Sequence, residues 1–235
     1  MRSWVAGCLL AALAACAGAP ALRDSSQSGV YGYLRLRPHE GTAPAATAGA
    51  PQDAYGDRRY AGTGLVDYSR PGFAVVYLER GRAEASGARV LAIRAGAGGV
   101  AIEPAHAATA IGTGVELRNQ VTVPLVVSVP AAGIVRALAP GDRLLLPADR
   151  AGAFEVFVPG AREAAATVFV APGPFAAVNE SGRFEILDVA PGPNRLGVWH
   201  PRLPPAARDV ALAAGHVARV DLEIGVGREQ HGDAR

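Results

Sequence analysis

The stretch Phe175-Ala176-Ala177-Val178-Asn179-Glu180-Ser181-Gly182-Arg183-Phe184, continued by Val189-Ala190-Pro191-Gly192 and by Leu196-Gly197-Val198-Trp199-His200, decides the fold class. Gly182 supplies the positive φ of a hairpin turn, Phe184 opens the following strand toward a core, and Pro191-Gly192 starts that strand's partner. The same pattern recurs outward along the chain. Short apolar or alternating runs bounded by glycine and proline occupy Val30 to Leu36, Ala74 to Leu78, Val90 to Ile93, Gly114 to Leu117, Leu125 to Val129, Leu144 to Leu146, Phe154 to Val158, Thr167 to Val170, Arg183 to Leu187, Arg195 to Trp199, Asp209 to Leu212 and Val217 to Ile224. Each is of strand length. Pro140-Gly141-Asp142, Glu180-Ser181-Gly182 and Pro191-Gly192-Pro193 place turns between them, so a sandwich or barrel is expected rather than βαβ units.

Composition agrees. Half of the 235 residues are apolar, enough for sizeable cores, yet 29 glycines and 18 prolines would break a largely helical chain. An all-β protein is expected, with a single helical turn at Ala161 to Ala166. Residues 37 to 72 read as a long irregular loop with Tyr55 and Tyr60 as large anchors, and the tail after Gly225 as frayed. The net charge of +2 comes from scattered arginines with no lysine, so there is no basic stripe and no nucleic-acid partner is expected.

The N-terminus carries Arg2, an apolar run from Trp4 to Ala15, and then Leu13-Ala14-Ala15-Cys16. The run is too short to span a bilayer as a stop-transfer helix and reads as a signal peptide. Its end resembles the lipobox of bacterial lipoproteins, which implies acylation of Cys16 and a mature chain on the periplasmic side of the cell envelope. Ala17 after it resembles the outer-membrane sorting pattern. The alternative is an ordinary secretory peptide cleaved after a nearby Ala-x-Ala site. Cys8 and Cys16 are the only cysteines, so no disulfide and no cysteine chemistry is expected in the mature chain. Residues 17 to 28 read as a flexible tether.

The opening stretch resembles the transthyretin-like, carboxypeptidase-regulatory-like sandwich, with its "TDxxGxF" hairpin and "PxGxYxLxVW" strand. On that resemblance Asn179, Gly182, Phe184, Pro191, Gly192, Trp199 and His200 are structural motif positions; Asn179 replaces an aspartate and Asn194 a tyrosine. Val30-Tyr31-Gly32-Tyr33-Leu34 and Phe73 to Glu79 resemble the first two strands of the same module. The whole is similar to plastocyanin-like periplasmic proteins of the methylamine-utilisation type, in which a cupredoxin sandwich interrupts the transthyretin-like one. This implies a signal peptide at 1–15, a tether at 16–29, first strands at 30–84, a cupredoxin-like domain at 85–170, the remainder of the first sandwich at 171–226 and a tail at 227–235.

The stretches from Gly112 to Ser128 and from Ala151 to Val170 align with the two copper-binding stretches of that family, and all four ligands are missing. Leu125 stands for the first histidine, Phe157 for the cysteine, Gly160 for the second histidine and Glu163 for the methionine. A blue-copper site needs a thiolate, two imidazoles and a soft axial ligand. No metal or other cofactor is therefore expected, with Leu125 and Phe157 filling the place with hydrocarbon.

His39, His106, His200, His216 and His231 never occur at metal spacing and read as solitary residues, Trp199 packing under the proline-rich loop that follows it. Glu155 with Glu163, or Asp188 with Asp209, are nominal carboxylate pairs that nothing brings around a substrate, so no enzyme is expected. Tyr31, Tyr33, Tyr55, Tyr60, Tyr68 and Tyr77 cluster in the N-terminal third, with Tyr31, Tyr33 and Tyr77 expected in or on the sheet. Two readings follow: a non-catalytic lipoprotein scaffold for a protein partner, or a carbohydrate-binding module, the latter by fold analogy with starch-binding domains.

Overall fold

The structure, a computed structural model, describes residues 20–38, 66–83, 88–96, 99–159 and 165–225. Among them there is no α-helix; one short 3-10 turn, Pro130–Ala132, joins two strands. The seventeen strands form four sheets.

In the first sheet β1 (Ser28–Arg37) is central, with β13 (Arg183–Val189) antiparallel on one side and β16 (Val217–Arg219) and β17 (Leu222–Gly225) parallel to it. The second sheet is antiparallel in the order β12 (Phe175–Ala177), β2 (Val75–Leu78), β14 (Gly192–His200), β15 (Leu203–Leu212). Val30, Leu34, Val76, Leu78, Phe184 and Leu196 are buried between these two sheets. The first sandwich is thus built from both ends of the chain.

The intervening segment closes on itself. Its third sheet runs β4 (Gly99–Glu103), β3 (Arg89–Gly96), β6 (Gly114–Asn119), β9 (Arg143–Pro147), and its fourth β5 (His106–Ala110), β11 (Ala165–Ala171), β10 (Gly152–Phe157), β7 (Leu125–Val129), β8 (Ile134–Leu138). Leu91, Ile93, Leu117, Val127, Leu146 and Val156 fill a separate core between them. Asn119, 1% exposed, ties that core's rim: its amide nitrogen lies 3.0 to 3.1 Å from the carbonyls of Val123, Leu138 and Ala139, and its oxygen accepts the Val121 N–H.

A third apolar cluster joins the sandwiches. Val75, Phe169 and Ala171 are buried there, with Phe73, Tyr77, Phe175 and Trp199 packed against them. Strand alternation explains this: Val76 and Leu78 point into the first core, so Val75 and Tyr77 point out of it, while Val168 points into the second core and Phe169 out.

Several local expectations are corrected. Residues 20–27 are not a free tether: the Arg23 N–H donates to Asp188 Oδ1 at 2.9 Å, an Asp24 side-chain turn holds Ser26, and Gly215 N–H donates to the Gln27 carbonyl at 2.7 Å. Ala165 and Ala166 lie in β11 rather than a helical turn, because pairing with β10 satisfies their backbone; 161–164 lie outside the described residues. Strands β4, β5, β8 and β12 were not expected, being short or rich in alanine and glycine. The stretch after His200 is the edge strand β15 and not a loop, since Pro204 and Pro205 are tolerated where no outer neighbour needs an N–H. Of the loop 37–72, residues 39–65 lie outside the described residues; Val66 and Tyr68 pack against the first core. The signal peptide, Cys16 and the tail lie outside as well.

Candidate functional site

The hairpin motif forms a self-contained turn. Asn179 Oδ1 accepts the N–H groups of Ser181 at 3.1 Å and Arg183 at 2.8 Å and the Ser181 hydroxyl at 2.8 Å, doing the work of an aspartate without its charge. Gly182 sits at φ 84, and a Cβ there would come within 2.7 Å of the Leu34 carbonyl, which fixes glycine twice over. Phe184 is 2% exposed in the first core. Gly192, φ 132 after Pro191, begins β14 opposite Leu212. Asn194 exchanges hydrogen bonds with the Arg80 backbone, its Oδ1 accepting at 3.1 Å and its Nδ2 donating at 2.9 Å, so it fastens the chain beyond β2.

The positions aligned with copper ligands do not converge. Leu125 packs at the edge of the second core, on the face of β7 that carries Val127 and Val129. Phe154, Val156 and Val158 turn into that core, so Phe157 lies on the opposite face of β10. The expectation that Leu125 and Phe157 fill one place is therefore corrected: a one-residue offset along a strand reverses the face, and the inward side chain beside Phe157 is Val158, 4% exposed. Leucine, phenylalanine and valine offer no donor atom to copper, and the residues present do not fit that metal. Gly160 and Glu163 lie outside the described residues.

Phe157 instead belongs to an outward row that is apolar apart from Ser128. It pairs with Ser128, which pairs with Val135 on β8, and Val126 opposite Ala137 forms the next row. Val135 is 73% and Val126 45% exposed. As the last strand of its sheet, β8 leaves one backbone edge unpaired among the described residues.

The junction gathers residues that were expected to stand alone. Trp199 stacks on Phe169 with ring centroids 4.8 Å apart at 14°, and Phe73 meets the edge of Trp199 at 6.3 Å; Trp199 is thus not packed under a loop but against the other sandwich. Tyr77 tilts onto Phe169 at 5.2 Å. His106, on β5, stacks on Phe73 at 5.6 Å with its Nδ1 buried and without a hydrogen-bond partner. His200, 8% exposed, accepts the Arg202 N–H at Nδ1, 3.1 Å away, and its ring also hydrogen-bonds the Pro71 carbonyl. Burial lowers the pKa of both histidines; at His106 the positive charge of Arg202 lowers it further, and at His200 the hydrogen bond to Pro71 opposes the shift while His106 and Arg202 add to it. Both rings are neutral at neutral pH and serve as flat, partly apolar packing surfaces.

The other nominated groups are dispersed. Asp188, φ 55, anchors Arg23, while Asp209 is exposed on β15 in the other sheet. Glu155 is exposed on β10, His216 is exposed before β16, and His39, His231, Tyr55 and Tyr60 lie outside the described residues. Tyr31 and Tyr33 share the outer face of β1 beside the Arg183–Glu185 and Arg219–Asp221 ion pairs. Among the described residues no three His, Cys, Asp or Glu side chains are grouped to hold a metal. The junction could have been read from sequence: Ala74 to Leu78 and Val168 to Ala171 are unbroken apolar runs, the pattern of strands covered on both faces.

No family model matches the chain, and no curated protein matches it. Similar solved structures are cupredoxins. A novel purple cupredoxin from Nitrosopumilus maritimus is 19% identical with a TM-score of 0.30, covering 35% of this chain and 99% of its own. A reduced amicyanin variant is 19% identical with a TM-score of 0.31, covering 40% of this chain and 97% of its own. An oxidised amicyanin variant is 20% identical with a TM-score of 0.29 and the same coverage, 40% and 97%.

Proposed function

We propose that the chain is a non-catalytic lipoprotein of the cell envelope, anchored through acylated Cys16, in which a transthyretin-like sandwich carries a copper-free cupredoxin-like sandwich that binds a protein partner. The observation that carries this reading is the pair of exposed valines, Val126 and Val135, grouped with half-buried Phe157 around Ser128 next to an open strand edge. Apolar side chains grouped outside a completed core suit a protein surface, and an unpaired edge offers backbone hydrogen bonds to an added strand. Sugar recognition is favoured by one observation only, the Tyr31 and Tyr33 pair, about 7 Å apart along β1; the Arg219 guanidinium already lies 6.0 Å over the Tyr33 ring.

The test uses the full-length chain in its own envelope with Val135→Cys, Val126→Cys or Arg208→Cys, each carrying a thiol-linked photocrosslinker. The reading expects one discrete product shared by positions 135 and 126 and absent at 208, on the first sandwich. The same products at all three positions, or products at 208 alone, would contradict it. Binding on a glycan array that is lost in Tyr31→Ala and Tyr33→Ala would support the carbohydrate reading instead.

A further inference from the structure

We infer that the end of the first sandwich formed by residues 20–25 and the turn before β16 lies against the phospholipid headgroups, and that the first sandwich holds the second clear of the membrane. The inference rests on the lipid anchor at Cys16 proposed above. Pro20 is four residues beyond Cys16, and four residues fully extended reach at most about 14 Å. From there the chain is fastened to the body. Pro20, Leu22 and Ser25 face Gly215, His216 and Val217 across an open hollow. Arg23 is held by Asp188 through its N–H at 2.9 Å and its guanidinium at 3.5 Å. Gln27 accepts from the Gly215 N–H at 2.7 Å, and Gly29 N–H donates to the His216 carbonyl at 3.1 Å. A diacylated cysteine sits at the glycerol level, and the headgroup layer above it takes up roughly 5 to 8 Å of that reach. The gap left is too narrow for another folded layer, so this surface meets the headgroups themselves. Arg23 is paired with Asp188 and Asp24 adds one negative charge, so the surface carries only a small net charge toward the headgroups.

The opposite end of the same strands carries the second sandwich. Strand β14 starts at Gly192, paired with Leu212 just before the membrane-side turn, and ends at His200, paired with Leu203. Its nine residues span about 26 Å, and the stacking of Trp199 on Phe169 takes place at that far end. The second sandwich, which carries Val126 and Val135, therefore meets the first at the end farther from the headgroups, where a partner standing in the periplasmic space can reach it.

The test uses the lipidated full-length protein in phosphatidylethanolamine and phosphatidylglycerol vesicles containing a lipid with a nitroxide on its headgroup. Ser25→Cys and Val135→Cys variants carry a fluorophore, and mass spectrometry of the same samples reads the acyl chains on Cys16. The expected result is several-fold stronger quenching at position 25 than at 135, lost when a flexible glycine-serine insert of about 20 residues, with a mean span of roughly 25 Å, separates Ala19 from Pro20. Equal quenching at both positions, or none at 25, in a sample whose Cys16 is acylated would overturn the orientation and leave the lipoprotein reading intact. An unacylated Cys16 would overturn that reading and the orientation with it.

Discussion

Phe169→Ala tests whether the aromatic junction couples two sandwiches that each have a core of their own. The Phe169 side chain is 4% exposed and lies between the Trp199 ring at 4.8 Å and the Tyr77 ring at 5.2 Å, over Val75 and Ala171. Truncating a buried phenylalanine costs about 3 to 5 kcal/mol, including roughly 1 kcal/mol for lost aromatic pairing. None of that loss falls on the Leu91–Val168 or Val30–Ile224 clusters, because Phe169 belongs to neither. Trp199 and Trp4 are the only tryptophans, so in a chain beginning at Pro20 the fluorescence reports the junction alone. Urea unfolding followed by Trp199 emission and by far-UV circular dichroism should coincide in the parent. In Phe169→Ala the emission should be red-shifted in the native state and its transition should move to lower urea, ahead of the loss of β-structure. An unchanged emission midpoint, or both signals moving together by the full amount, would refute the view of two separately cored bodies joined by this contact.

Three further outcomes are expected. Asn119→Asp preserves shape but turns two donors toward carbonyl oxygens into an acceptor, and should cost about 3 kcal/mol at neutral pH; burial would raise that carboxyl's pKa above its unfolded value, so urea midpoints should recover as pH falls and worsen as it rises. His106 and His200 have folded pKa values below the ordinary 6.5, so the unfolded chain binds more protons in that window: stability should be full above it and fall on acidification, by at most about 1.4 kcal/mol per pH unit per histidine, with His106→Gln flattening the slope. Gly32→Ala should cost about 3 kcal/mol or more, or abolish soluble expression, since its Cβ would run into the backbone carbonyl of Val220; thermal melts compare it with Gly99→Ala, where nothing lies within 4 Å but φ is 121.

The all-β class was legible because turn residues and alternating runs are local signals: Gly182, Pro191-Gly192 and the Val30 and Ala74 runs announce strands without reference to anything distant. The strands that escaped notice lack such signals. His106–Ala110 is alanine-rich and becomes a strand through pairing with β11, far along the chain, while Gly99–Glu103 is a short run held as the second arm of a hairpin with β3 immediately before it. The facing of Phe157 was misread for a related reason: an alignment offset of one residue is nearly invisible in sequence and reverses the side chain's direction. The junction lay half in view. Its apolar runs show no alternation, yet only the fold brings Phe73, His106, Phe169 and Trp199 from four separate segments to one place.

The central proposal, that the second sandwich serves as a scaffold without metal, is tested most directly by offering copper and zinc in turn to the chain from Ala17 onward and measuring metal content after exhaustive dialysis. The account predicts no stoichiometric retention of either ion and unchanged Trp199 emission. One retained equivalent per chain, with a shift of that emission, would contradict it and direct the search for ligands to His106 and His200.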